Sequence, residues 1–163
     1  MTINNSELIS KLNDIATLIQ DSKSWAAKQP GTSLDAHLAT YIDVCILGVL
    51  EESIELLFRE RASKSGDTCT ANYIRLNLDH SFQNPKFGRI RDVLAMFNPD
   101  FARAFEAKFP PNCSEMTALR DINTIKQNVA HLGAYDLKLT IIDVENYFNR
   151  VIPILESLEV ILT

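Results

Sequence analysis

The polar residues of one stretch, 117–133 (TALRDINTIKQNVAHLG), are spaced as if for chemistry. A helix drawn through it at 100° per residue puts Ala118, Ile122, Ile125, Val129 and Leu132 on one face. Arg120, Thr124, Gln127 and His131 share nearly the opposite face, and Lys126 sits at the border between the two. Gly133 follows as a helix stop or turn residue would. His131 therefore belongs to a polar stripe at the end of a helix, not to a core. The plain alternative is a solvated helix face.

Other chemistry finds little support. His37, His80 and His131 are scattered, and no H-x-x-x-H, H-E-x-x-H or cysteine pair supplies a metal set. There is no phosphate-binding glycine loop. Cys45, Cys69 and Cys113 are odd in number and far apart, so they read as reduced thiols in a cytoplasmic protein. A cysteine nucleophile would have to be carried to His131 by tertiary folding, for which the sequence offers no sign. Neither a metal nor a cofactor is expected.

The elements that position the stretch are helical throughout. The first helix begins behind Asn4, Asn5 or Ser6 as cap, with Leu8, Leu12, Ile15 and Ile19 as its stripe and Trp25 as a packing anchor. Pro30-Gly31 closes it. Thr32 or Ser33 caps the longest helix, about 33–62, whose apolar face is Leu34, Leu38, Tyr41, Ile42, Cys45, Val49 and Leu56. Around 44–50 (VCILGVL) it is apolar on every side, as in a helix buried among others, and Gly48 admits a neighbouring backbone. In the EESIE that follows, Glu52 enters the apolar sector and needs a partner, an arginine or a water-filled cleft; Glu51 and Glu55 lie to one side.

A short helix carries Tyr73, Ile74 and Leu78. Asn84-Pro85 and Asn98-Pro99 each place a capping side chain before a proline at the first helical position. The first pair opens 86–97, anchored by Phe87, Ile90, Leu94 and Phe97. The second opens a helix with Phe101, Phe105 and Phe109 as core or dimer contacts. After a loop at 133–139, the last helix starts near Thr140. Its Val144, Phe148, Val151, Leu155, Leu158 and Leu162 form a heptad seam interrupted by Pro153, where a kink is expected. Nothing alternates as a strand would. The expectation is one all-α domain over 1–163, an up-and-down helical bundle with additional short helices.

Bulk composition agrees. The 163 residues suffice for one domain with a real core, and 46% hydrophobic with 23% charged residues is globular rather than disordered. A net charge of −5 argues against a protein that coats nucleic acid, while leaving room for a local basic cleft. The start has no basic-then-apolar leader, and the longest apolar run, seven residues, is too short to span a bilayer, so no membrane partner is expected.

KQNVAHLG at the end of an amphipathic helix in an all-helical chain resembles the HEPN superfamily. The hallmark there is an arginine followed after four to six residues by histidine, commonly RNxxAHG. Lys126-Gln127-Asn128-Val129-Ala130-His131 falls in register with it. The long helix near YIDVCILGVLEESIELLFRE, the FQNPKFGRI start, FNPDFARAF and the closing helix are similar to the RiboL-PSP type of HEPN domain, over roughly 33–162. The resemblance implies a metal-independent ribonuclease, of a toxin or defence type, acting as a homodimer with two motifs facing each other across an RNA substrate. Carried over, His131 is the proton-transfer group acting on the ribose 2′-OH or the leaving oxygen. Lys126 takes the phosphate-holding arginine position, and Gln127 the orienting polar one. Arg120 and Asn128 are auxiliary substrate-binding groups by local position, not by the motif. Three departures, Lys126, Gln127 and Leu132 before Gly133, leave a second reading open: a HEPN module that has lost catalysis and is a dimeric protein- or RNA-binding scaffold. Its partner would be antitoxin-like or nucleotidyltransferase-like.

Overall fold

A computed structural model describes residues 3–28, 33–64, 66–78, 82–132 and 138–163, with the side chains of 131 and 132 outside that set. Seven helices follow one another: α1 (Ser6–Ala26), α2 (Leu34–Ser63), α3 (Thr68–Leu78), α4 (Phe87–Phe97), α5 (Pro99–Lys108), α6 (Ser114–Leu132) and α7 (Ile141–Leu162). No strand occurs among the described residues, so the all-α helical bundle is what forms. Pro30-Gly31 and most of the loop at 133–139 lie outside the described residues.

Local chemistry accounts for the starts of α1, α5 and α7. The Asn5 side chain accepts from Leu8 N–H at 2.9 Å and opens α1. Asn98 accepts from Asp100 N–H with Pro99 behind it, the Asn-Pro start as expected. Thr140 and Asp143 exchange side-chain and backbone bonds in a capping box at α7.

Asn84-Pro85 behaves differently from its twin. Asn84 sits in the left-handed region at φ 55°, and its N–H donates to the Glu51 carboxylate at 2.7 Å. Asparagine tolerates that conformation better than most residues. The chain therefore turns at Asn84, Pro85 stays outside the helix, and α4 begins behind Lys86 with no side-chain cap.

α2 runs through the middle, packed against α1, α6, α7 and α3. One contiguous core draws on all seven helices, from Leu8, Leu12, Ile15 and Ile19 of α1 to the whole seam of α7. Val144, Phe148, Val151, Leu155, Leu158 and Leu162 are all buried, as are Phe105 and Phe109. Of the three phenylalanines expected as core or dimer contacts, Phe105 and Phe109 are thus core contacts within one chain, and Phe101 is half-buried. α7 runs on through Pro153 to Leu162. Trp25, expected as an anchor, is 60% exposed because α1 ends beside it, beyond its packed stretch.

The face of α2 is rotated from the expected one. Its buried line runs through Ala39, Ile42, Asp43, Ile46, Leu47, Leu50, Ser53, Ile54, Leu57 and Phe58, while Tyr41 is exposed. Asp43 and Ser53 fall inside that line, and a stripe chosen to avoid polar residues misses it. Glu52 consequently lies outside, with a side chain 66% exposed and paired with Lys11 of α1 at 2.7 Å. Glu51, 19% exposed, is the carboxylate that turns inward.

Candidate functional site

α6 is an unbroken helix from Ser114 to Leu132, and the candidate residues ride on it. Ala118 and Ile122 are buried, with Ile125 and Val129 half-buried, as spacing predicts; Leu119 and Asn123 are buried beside them, and the side chain of Leu132 lies outside the described residues. Arg120, Thr124 and Gln127 are exposed along the other side. His131 lies in the last turn of α6, and its side chain is outside the described residues.

Arg120 and Gln127 share a cleft of about 430 Å³ between α6 and the start of α4. Its other walls include Pro85, Lys86, Phe87, Gly88 and Asn123. Arg120 makes one long hydrogen bond, 3.3 Å, to the Pro111 carbonyl. Phe87 stacks on Phe105 with centroids 5.6 Å apart. Asn123 is buried and donates to the carbonyls of Pro85 (2.9 Å) and Leu119 (2.7 Å), which ties α6 to the segment entering α4.

Lys126 faces α2, not this cleft. Its Nζ lies 2.8 Å from Glu51 Oε1, the same oxygen that accepts from Asn84 N–H. With both side chains mostly shielded, the pair fixes the lysine head where a surface lysine would wander. It adjoins the cleft in two ways: Asn84 precedes the wall residue Pro85, and Lys126 precedes Gln127. The sequence showed Glu51 only as a neighbour of Glu52; the partner it would find was invisible without the turn at Asn84.

Asn128 does not join Arg120 and Gln127. It is exposed over a smaller hollow of about 220 Å³ on the far side of α6, lined by Asp121, Ile125, Val129, Leu139 and Tyr147. Thr124 borders both hollows. Beneath lies an acidic group that sequence reading passed over. Asp43 of α2 is fully buried, and neither of its carboxylate oxygens has a hydrogen-bond partner. Burial, reinforced by the Asp121 charge, pushes its carboxyl up to about 8. Burial also raises the Tyr147 phenol, with Asp121, Asp143 and Asp43 adding to the shift. The available signal was an aspartate inside the apolar run YIDVCILG.

Among the described residues no group of three or more His, Cys, Asp or Glu side chains is placed to hold a metal ion, and no helix is long and apolar enough to cross a membrane. The three cysteines are free thiols. The fold defines an all-α helical bundle with a basic-edged cleft beside a glutamate-held lysine. No family model, curated protein or solved structure matches the chain.

Proposed function

We propose that the chain is a HEPN domain of the RiboL-PSP kind, a metal-independent ribonuclease of a toxin or defence type that works as a homodimer. His131 moves the proton between the ribose 2′-OH and the leaving oxygen, Lys126 holds the scissile phosphate, and Gln127 orients the pair. The observation that carries this reading is the Glu51–Lys126 pair: it holds a cation in a fixed place, next to a cleft with Arg120 and Gln127, five residues before His131. Positions 126 and 131 of a regular helix differ by about 140° in direction and about 7.5 Å along the axis. That α6 stays helical through Leu132 supports a second copy contributing to each site over a loosened helix end.

The scaffold reading draws on the same pair. Lys126 is neutralised inside the chain, so a phosphate has to compete with Glu51 for it. In that case the domain binds RNA or a protein, antitoxin-like or nucleotidyltransferase-like, without cutting. Purified protein incubated with total and transfer RNA in the presence of chelator separates the two. Cleavage that chelator leaves intact and His131→Ala abolishes, by about 10²-fold or more, supports the ribonuclease. Activity unchanged in His131→Ala, or no activity at all, sinks it.

A further inference from the structure

The cleft between α4 and α6 has a division of chemistry that neither catalysis nor packing explains. At its edge stand two cations, Lys86 and Arg120, with the exposed amide of Gln127. Also at its edge is the N-terminus of the eleven-residue α4, which no side chain caps. Helix N-termini present backbone N–H groups and partial positive charge, and so favour anions. Deeper in the wall the character changes. Phe87 contributes an aromatic surface backed by Phe105, and Asn123 contributes a side chain only 4% exposed. Both hydrogens of the Asn123 amide are spent on the Pro85 and Leu119 carbonyls, while its Oδ1 has no partner. Turning the amide over does not cure this, because it would set an oxygen against those two carbonyls. Asn123 Oδ1 is sealed from solvent, so it is a cost of the packing between α6 and the entry to α4 and not a group that the cleft offers to a ligand.

We infer that this cleft is a nucleotide subsite, with the phosphate against Arg120, Lys86 and the start of α4, and the base against Phe87 within reach of the exposed Gln127 amide. About 430 Å³ is within the range of small-ligand pockets. That the nucleotide belongs to an RNA strand rests on the ribonuclease reading above; that the cleft takes a nucleotide does not. Arg120 precedes Lys126 by six residues, about 9 Å along the helix. The phosphate it holds is therefore a different one from that at Lys126, and the cleft grips a nucleotide to one side of the cut. Gly88 lines this cleft, and a Cβ built there meets nothing within 4 Å, so a glutamate can be accommodated at the cleft wall beside Lys86.

The test uses the full chain, titrated with 5′-AMP, adenosine and inorganic phosphate at low salt, by calorimetry and by amide chemical shifts. 5′-AMP should bind at least about 10-fold more tightly than either fragment, with shifts centred on 86–88 and 119–127, and should weaken as salt rises. Gly88→Glu, folded by circular dichroism, should abolish binding, and Arg120→Ala should weaken it about 10-fold or more. His131→Ala should leave it intact. No saturable binding of 5′-AMP, binding that Gly88→Glu leaves unchanged, or phosphate alone binding as well as 5′-AMP would each overturn the subsite. Should nucleotide binding hold while histidine-dependent cleavage is absent, the ribonuclease fails and the subsite stands. If cleavage is histidine-dependent but Gly88→Glu alters neither binding nor cutting, the subsite fails alone.

Discussion

Asp43 offers the sharpest test of the bundle's interior. Its carboxyl is sealed between α2 and the helices carrying Asp121 and Tyr147, with no donor to stabilise an anion. The folded chain therefore keeps it protonated up to about pH 8, against 3.8 for the free side chain. Between those values the native state binds more protons than the unfolded one, so stability falls as pH rises. The loss begins near pH 4, continues to about pH 8 and then levels off. At pH 7 the chain has crossed roughly three pH units of this window, which at about 1.4 kcal/mol per unit costs about 4 kcal/mol. Asp43→Asn keeps the shape and the unpaired polar group but removes the titration. It should match the parent near pH 4 and exceed it by about 2–4 kcal/mol at pH 7, a large share of a typical domain's stability. Urea unfolding of both proteins at each pH unit from 4 to 8 reads this directly. A difference that stays constant across the range, or an Asp43→Asn less stable than the parent at pH 7, would refute the reasoning and mean that Asp43 has a partner stabilising its charge.

The remaining expectations concern the two glutamates, the lysine and a cap. Glu51→Ala should destabilise by about 1–3 kcal/mol, since it strands Lys126 and the Asn84 N–H, whereas Glu52→Ala should cost under about 1 kcal/mol for an exposed pair; thermal unfolding ranks them. In the ribonuclease reading Lys126→Ala lowers the cleavage rate, and Lys126→Arg preserves or raises it because guanidinium grips phosphate with two bonds; single-turnover assays on one RNA decide. Asn98→Ala should lose about 1 kcal/mol by removing the α5 cap, whereas Asn84→Ala should act through its left-handed backbone and not through a cap, so that Asn84→Gly is the milder change in urea unfolding.

Helix existence was legible in the sequence because apolar spacing reports it directly. The stripes of α1 and α7 bury as written, since the polar residues buried with them, Ser22 and Ser157, fall outside the stripes. α2 failed in phase for the opposite reason. A helix surrounded by neighbours is apolar on most sides, and its true face is then chosen by packing, which tolerates Asp43 and Ser53 where a pattern search does not. The two Asn-Pro pairs carry the same local signal and diverge because one of them meets a distant group. Glu51 takes the Asn84 N–H, an interaction 33 residues away that no local rule contains. The same contact hid the site: it is Glu51, set by that turn, which reaches Lys126 and fixes the only motif cation whose surroundings are described.

That ion pair also sets what a nuclease built on this chain must do. In a site with a free arginine, phosphate meets an unspent cation. Here it meets a lysine already neutralised, and the net charge offered to RNA by the pair is zero. Binding energy has to come from elsewhere along α6, where Arg120 and Lys86 border the adjacent cleft. The expected consequence is a division of labour visible in kinetics. Removing Arg120 should raise KM with little change in kcat, since it acts on a phosphate that does not react. Glu51→Gln, which frees the Lys126 charge while keeping the amide-bonding geometry, should tighten RNA binding and lessen its dependence on the flanking cleft. If Glu51→Gln instead weakens binding, the glutamate serves to aim the lysine and not merely to neutralise it, and the competition drawn here between Glu51 and phosphate is wrong.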